Sequence, residues 1–292
     1  MPTGRTITDA LADSLPLVIA SARETREYEG NASNLVEKQT LGEGVGLTWN
    51  EITLAKLTAT AVTETTILNN PQQFSDTLFS ITPTVVGIHT FISDRVAKRI
   101  SKKVYARMGS LAQNAIQRKA DLDVIAVFDG ATVSQPGAGN TLSSGVLSAM
   151  IAQIRGNTTE PGIGEAFFVG HSYQIKDLRD ELAGGIGTYP IPEGISARVY
   201  RDGYRGMTVD GVRIFADDNM TIDGSADTKG GLFVKPAIVK VQGRSPWVRR
   251  REEPDIGGGG NSVWLYDEYA IGERSAGNWL KEIYSDATAP TG

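Results

Sequence analysis

The chain has 292 residues, a formal net charge of -5, 40% hydrophobic and 22% charged residues, and no cysteine. That length supports one large domain or two modest ones, and the missing cysteine excludes a disulfide framework, a thiolate metal site and a thiol nucleophile. The acidic balance argues against a general nucleic-acid binder, and no apolar run reaches the roughly 18 residues that a membrane span needs.

From the N-terminus, Thr8 can cap a short helix through Ser14, and Pro16 suits the first turn of a second one ending near Tyr28. The apolar run Leu15–Ala22 is short for a signal peptide, and Asp9 and Asp13 stand where positive charge belongs. A polar linker, Glu29–Asn34, closes this arm. Leu35–Leu41 reads as a strand, Gly42–Gly46 as a turn, and Leu47–Leu57 as mixed polar and apolar. Ala59–Leu68 is rich in threonine and β-branched residues and reads as a second strand, before the turn signal Asn69-Asn70-Pro71. Few large apolar residues occur here, so residues 42–70 fit an extended hairpin lying on another surface, or a mobile loop.

Thr84–Ile92 is a strand leading into a long helix. Ser93 is its N-cap, and Val96, Ile100, Val104, Met108, Leu111 and Ala115 recur at helical spacing as the face to be buried. Gly109 is the expected kink or break, and Gly130 the stop. Arg95, Lys98, Arg99, Lys102, Lys103, Arg107, Arg118 and Lys119 make this a basic rod in an acidic chain, which needs carboxylates or phosphates around it unless it is a solvated face.

A Gly/Ser/Pro connector follows, then a helix at 146–154, a buried-type strand at Glu165–Gly170, and a helix at Ser172–Leu182 capped by Ser172 and ended by Gly184-Gly185. Residues 184–211 are loop-rich. Val212–Ala216 is a strand, and Gly231–Gln242 contains another. Alternating elements suggest a mixed α+β domain over about 131–243. Trp247–Glu253 is a charged strand, Gly257–Gly260 a hairpin tip, Asn261–Ile271 a strand with both faces contacted, and Asn278–Ile283 the closing element.

Catalytic signals are weak. His89 and His171 are the only histidines, and neither has ligand-spaced neighbours for a metal. His171, Ser172 and Asp177 could be assembled into a hydrolase set, but the N-cap role explains Ser172 and there is no G-x-S-x-G elbow. The glycine clusters lack phosphate-loop spacing and read as turns. Arg249, Arg250 and Arg251 beside Glu252 and Glu253 read as a strand of ion pairs between chains. With acids of the arm and loop such as Glu24, Glu27, Glu29, Glu37, Glu43, Glu51 and Glu64, and with Lys56, they are the candidate intersubunit contacts.

Pro83–Gly130, with its strand, its Ser93-Asp94 helix start, its long helix and the Asp121–Gly130 end, resembles the signature region of tailed-bacteriophage major capsid proteins. The downstream order of elements is similar too, over nearly the whole chain. The resemblance implies the Hong-Kong-type α+β capsid fold: an N-arm (1–34), an extended β-hairpin loop (35–80), a peripheral domain with the spine helix (81–130 and 244–272) and an axial domain (131–243 and 273–292). It implies hexamers and pentamers of the chain closing an icosahedral virion shell around double-stranded DNA, with portal, scaffolding and decoration proteins as further partners, no cofactor and no catalysis. Some members shed an N-terminal scaffolding segment; here either such processing or a separate scaffold is expected. Some join a lysine to an asparagine, and although Lys38 and Lys56 lie in the loop, the sequence carries no sign of that chemistry. An encapsulin-like nanocompartment shell shares the fold and is the nearest alternative; a monomeric hydrolase is the alternative of another class.

Overall fold

The computed structural model describes residues 30–65, 69, 71–99, 102–186, 208–256, 258–275 and 277–291, with backbone alone at 102–108 and 182–186. The two expected arm helices, the acids Glu24, Glu27 and Glu29, most of the 184–211 loop and the side chains of Ile100, Val104 and Met108 lie outside these residues.

A short helix, α1 (Ala32–Leu35), leads into β1 (Glu37–Thr40). β2 (Trp49–Leu54) and β3 (Asp76–Ile81) pair antiparallel as a two-stranded ribbon, in register from Trp49 opposite Ile81 to Leu54 opposite Asp76. Ala59–Thr65 forms no strand. Its threonines favour extended backbone, but the return strand is decided by burial at the ribbon's root. Trp49 and Phe79 meet edge to face there, ring centroids 6.2 Å apart, over Ile81, Val239 and Val241.

β4 (Thr84–Ser93) runs directly into α2 (Asp94–Ala97), where the Ser93 hydroxyl accepts the Val96 N–H at 3.4 Å as the expected cap. The helical run is interrupted at Lys98–Arg99, and α3 (Lys102–Phe128) then passes straight through Gly109. At 27 residues it is about 40 Å long. Of the expected face, Val96 is buried and Ala115 half-buried, while Ile100, Val104 and Met108 are not among the described side chains. Leu111 is 38% exposed, whereas Ile116, Ala120, Val124 and Phe128, spaced by four, are buried. The C-terminal half of α3 packs on the sheets; Phe128 stacks on Phe233 at 5.5 Å.

The chain then builds β5 (Ser134–Pro136), α4 (Ser144–Arg155), β6 (Ala166–Gly170), α5 (Ser172–Ile186), β7 (Thr208–Val209), β8 (Val212–Ala216) and β9 (Asp227–Val234). A 3-10 turn, Lys235–Ala237, leads to β10 (Ile238–Glu252), followed by β11 (Gly260–Glu273) and β12 (Leu280–Asp286). α5 continues through Gly184-Gly185 rather than ending there.

Two larger sheets result. One has the order β5-β12-β9-β6-β8-β7, and α4 buries Leu147, Met150, Ile151 and Ile154 in its core. The other has the order β1-β10-β11-β4, with β1 parallel to β10 and the remaining neighbours antiparallel. The chain passes between the sheets at Lys235–Ala237 and again after β11, and the two passages are tied where the Arg274 N–H donates to the Ala237 carbonyl at 2.8 Å. The border expected at 243/244 falls inside β10, beside the register shifts between Gln242, Arg244 and Trp247.

Candidate assembly surfaces

The β2–β3 ribbon is anchored at its root and bare along its length. Ile52, Leu54 and Leu78 are each more than 60% exposed, and Val45, Leu47, Leu57, Val62 and Phe74 continue the apolar surface beyond the paired strands. Burial of these side chains would be favourable by about 25 cal/mol per Å² of apolar area. The ribbon therefore carries a large unsatisfied driving force for association. Glu43 and Glu64 are exposed beside it. Lys56 donates to the Thr158 carbonyl of its own chain at 3.0 Å.

Glu51 is engaged within its own chain. Arg274 Nε donates to it at 2.7 Å, Nη1 donates to Glu37 at 2.8 Å, and Nη1 also reaches the Pro236 carbonyl at 2.8 Å. The guanidinium thus joins β1, β2 and the 3-10 turn through its fixed fork of donors. Its hydrogen bond is the main cause that holds the Glu37 carboxyl below the usual carboxylate range. Sequence reasoning listed Glu37 and Glu51 but passed over Arg274, whose partners lie more than 220 positions away.

Arg249, Arg250 and Arg251 lie opposite Trp264, Val263 and Ser262 on β11, and Glu252 lies opposite Asn261. All four are exposed, and Glu253 is partly so. The ion pairs among the described residues include none of them. Alternate residues share a face, so Arg249 and Trp247 fall on the face opposite Tyr269, whose hydroxyl donates to Asp123 of α3 at 2.8 Å. That outer face is aromatic as well as cationic. Trp247 meets Tyr266 at 5.4 Å, Arg244 lies 4.4 Å over the Trp247 ring, and His89 stacks on Trp264 at 4.6 Å with 7° between planes. Gly87 permits this layer, since a Cβ there would sit 2.5 Å from the Tyr266 ring.

At the start of the described chain, two buried carboxylates grip α1. Asp217 Oδ2 accepts the N–H groups of Asn31 (2.8 Å) and Ala32 (3.1 Å), and Asp121 Oδ1 accepts that of Ser33 (3.1 Å). Asn219 Nδ2 donates to the other Asp121 oxygen at 3.1 Å. Burial first, then the Asp217 charge, push the Asp121 carboxyl up to about 6.

The residues considered for hydrolysis do not assemble a triad. Ser172 donates its hydroxyl to Asp218 at 2.9 Å rather than capping α5 with it. The Asp218 carboxylate and the His171 ring supply the cap acceptors instead, taking the Ser172 and Tyr173 N–H groups at 2.9 and 3.2 Å. Burial lowers the His171 pKa. Asp177, raised by burial and by Asp286, accepts from the Leu142 backbone instead. No group of three or more metal-ligating side chains occurs among the described residues.

No protein-family model matches the sequence, and neither does any curated protein. Solved structures do match. The Cyanophage Pam1 capsid subunit superposes with a TM-score of 0.69 at 12% identity, over 92% of this chain and 96% of that one. The capsid structure of Cyanophage P-SCSP1u gives 0.68 at 11% identity, over 92% of each chain. The acid-stable capsid structure of Helicobacter pylori bacteriophage KHP30 gives 0.62 at 12% identity, over 98% of this chain and 99% of that one. The chain has the α+β fold of these phage capsid proteins, as its order of elements led one to expect.

Proposed function

We propose that this chain is the major capsid protein of a tailed bacteriophage, a structural subunit that associates with copies of itself into hexamers and pentamers closing an icosahedral virion shell. The observation that carries the reading is the β2–β3 ribbon: on a capsid fold, it holds out Ile52, Leu54 and Leu78 with no apolar cover. A lone hydrolase gains nothing from such a surface; a subunit that lays it on a neighbour does.

In this reading residues 1–34 are the arm and 35–80 the extended loop. Residues 81–130 and 244–272 form the peripheral domain, with Ile238–Gln242 joining its sheet, and 131–243 and 273–292 form the axial domain. Double-stranded DNA is the content of the shell, and portal, scaffolding and decoration proteins are its further partners. The basic residues of α2 and α3 have two available counter-charges, neighbouring carboxylates and packaged phosphates.

The test is excision of the ribbon's far part. Leu54 and Asp76 are cross-strand partners, so residues 55–75 can be replaced by an Asn-Gly turn that matches a two-residue hairpin. The expected product is folded, elutes as a single chain somewhat below the 31.3 kDa of the intact one, and forms no closed particles by electron microscopy, whereas the intact chain forms capsomers or shells. Normal particles from the shortened chain would refute the ribbon's role. An intact chain that remains a monomer under all assembly conditions would refute the shell itself.

A further inference from the structure

The first described residues of the chain are held by acids rather than by a strand ladder. Asp217 takes the Asn31 and Ala32 N–H groups on Oδ2 and the Asn219 N–H on Oδ1, the last at 3.1 Å. Asp121 takes the Ser33 N–H on one oxygen and the Asn219 side-chain amide on the other. The two carboxyl groups also hydrogen-bond to each other. That last bond needs a proton on one of them, because an ionised carboxylate can only accept. Gly30 brings the chain down onto the pair, since a Cβ there would collide with the Asp121 carboxyl. Beyond the pair the chain enters the core, where Ala32 and Val36 are buried.

The surrounding charges do not neutralise the pair. Among the described residues no ion pair reaches either carboxyl. Lys240 of β10 feels Asp121, but it also faces Asp123 of α3, Asp267 of β11 and Lys38 of β1. Asp218, next to Asp217, is turned toward Ser172 and His171.

We infer that Asp121 and Asp217 hold one proton between them as a latch on Gly30–Val36, closed while the proton is bound and loosened when it leaves. The step is one dissociation. The shared O–H gives its proton to water, the bond between the carboxyls is lost, and two like charges remain in a site closed to solvent. Asp121 stands on a 27-residue helix and Asp217 follows a strand inside a six-stranded sheet. The four-residue α1 is the lighter side, so it is the side that moves. Its movement lets water reach both carboxylates and relieves their repulsion. Burial and the Asp217 charge hold the Asp121 carboxyl at about 6, so the change spans roughly pH 5 to 7. The latch is closed by acid. It sits where residues 1–29 join the described body, and it sets how firmly they are attached whether or not the chain builds a shell. The competing account is a permanent cap, two ionised acids complementing the first N–H groups of α1 at every pH.

Hydrogen exchange on the intact free chain from pH 4.5 to 7.5, corrected for intrinsic rates, separates the two accounts. Protection of the Asn31, Ala32 and Ser33 amides should fall by at least about tenfold over that range. These amides should also exchange faster than Phe167–Val169 of β6, which mark global opening. Asp121→Asn mimics the protonated acid once the Asn219 amide turns over, and should keep the protection near its acid value throughout. Protection that does not change with pH, or exchange at 31–33 no faster than in β6, overturns the latch in favour of a permanent cap. An equal fall in Asp121→Asn overturns it in favour of other titrating groups. If that variant does not fold, carboxyl-carbon NMR shifts of the unaltered chain decide. The pair should still bind one proton at pH 5; two fully ionised carboxylates at pH 5 overturn the proposal.

Discussion

Asp121 and Asp217 hold the same short helix from two different elements. Asp217 Oδ2, just after β8, takes the N–H groups of Asn31 and Ala32, while Asp121, on α3, takes that of Ser33. Both carboxylates are essentially inaccessible, at 1% and 0% exposure. The nearby cation is Lys240, whose own pKa is lowered by burial, and whose ammonium lies 4.8 Å over the Tyr269 ring.

A pH dependence with a definite sign follows for Asp121. Its folded value of about 6 lies above the ordinary 3.8, so the folded state holds more protons than the unfolded state between those values. Stability contributed by this group is fully present below about pH 4 and is lost as pH rises through about 6. At about 1.4 kcal/mol per unit the loss is of order 3 kcal/mol. Urea unfolding of the free subunit at pH 4, 5, 6 and 7 should therefore show a downward slope that Asp121→Asn flattens. An unchanged slope in the variant would show that other groups set it.

Arg274 should behave as a joint between elements. Arg274→Ala takes the guanidinium away from the part-buried Glu37 and Glu51, leaving Glu37 only the Gln39 amide, and should lower stability by about 1–3 kcal/mol. Arg274→Lys should recover little of this, because one ammonium cannot reproduce the fork. Since Glu37 is held below its usual range, the stability it contributes is present above its ordinary value of 4.5 and lost as pH falls through the lowered one. The check is thermal unfolding of both variants, with hydrogen exchange at 49–54 reporting whether the ribbon's root has loosened.

The two halves of α3 should respond oppositely to truncation. Phe128→Ala empties a site between Phe233 and Gly231 and should destabilise the free subunit by about 3–5 kcal/mol. Leu111→Ala, at a half-exposed site, should change it by no more than about 0.5 kcal/mol. A large effect of Leu111→Ala on the free subunit would contradict the burial of α3 described above.

How much of this was legible in the sequence depended on how local the cause was. β6 and β8 are short apolar runs bounded by turn residues, β4 starts just after Pro83, and the Ser93 cap that ends it is a contact three residues long. The capsid-like order of elements was legible for the same reason. The return strand of the ribbon was not. Ala59–Leu68 has the better local composition, but Asp76–Ile81 has Phe79 and Ile81 to bury against Val239 and Val241. On the spine helix the periodic stripe held at Val96, which is buried, and missed at Leu111, which is exposed, because the described contact with the sheets is made by Ile116, Ala120, Val124 and Phe128. The grip of Asp121 and Asp217 on residues 31–33 and the Arg274 joint span 88 to 237 positions and leave no local pattern to read. The arginine triplet was visible as charge; its place on a half-paired strand was visible only once β1 was seen to leave at Leu41.

The chain passages at Lys235–Ala237 and after β11 are joined by two bonds from Arg274, its backbone N–H to the Ala237 carbonyl and its Nη1 to the Pro236 carbonyl, while α3 links the two sheets a third time. The strands beside these passages belong to different sheets, Val234 and Leu280 to one and Ile238 and Glu273 to the other. The ribbon is rooted beside Val239 and tied at Lys56 to Thr158, so it spans the same junction. A closed surface tiled by one kind of subunit needs the same piece at more than one curvature. The contacts that hold the angle between the sheets, and with it the curvature of a shell subunit, are the ribbon root, the Arg274 bonds and α3.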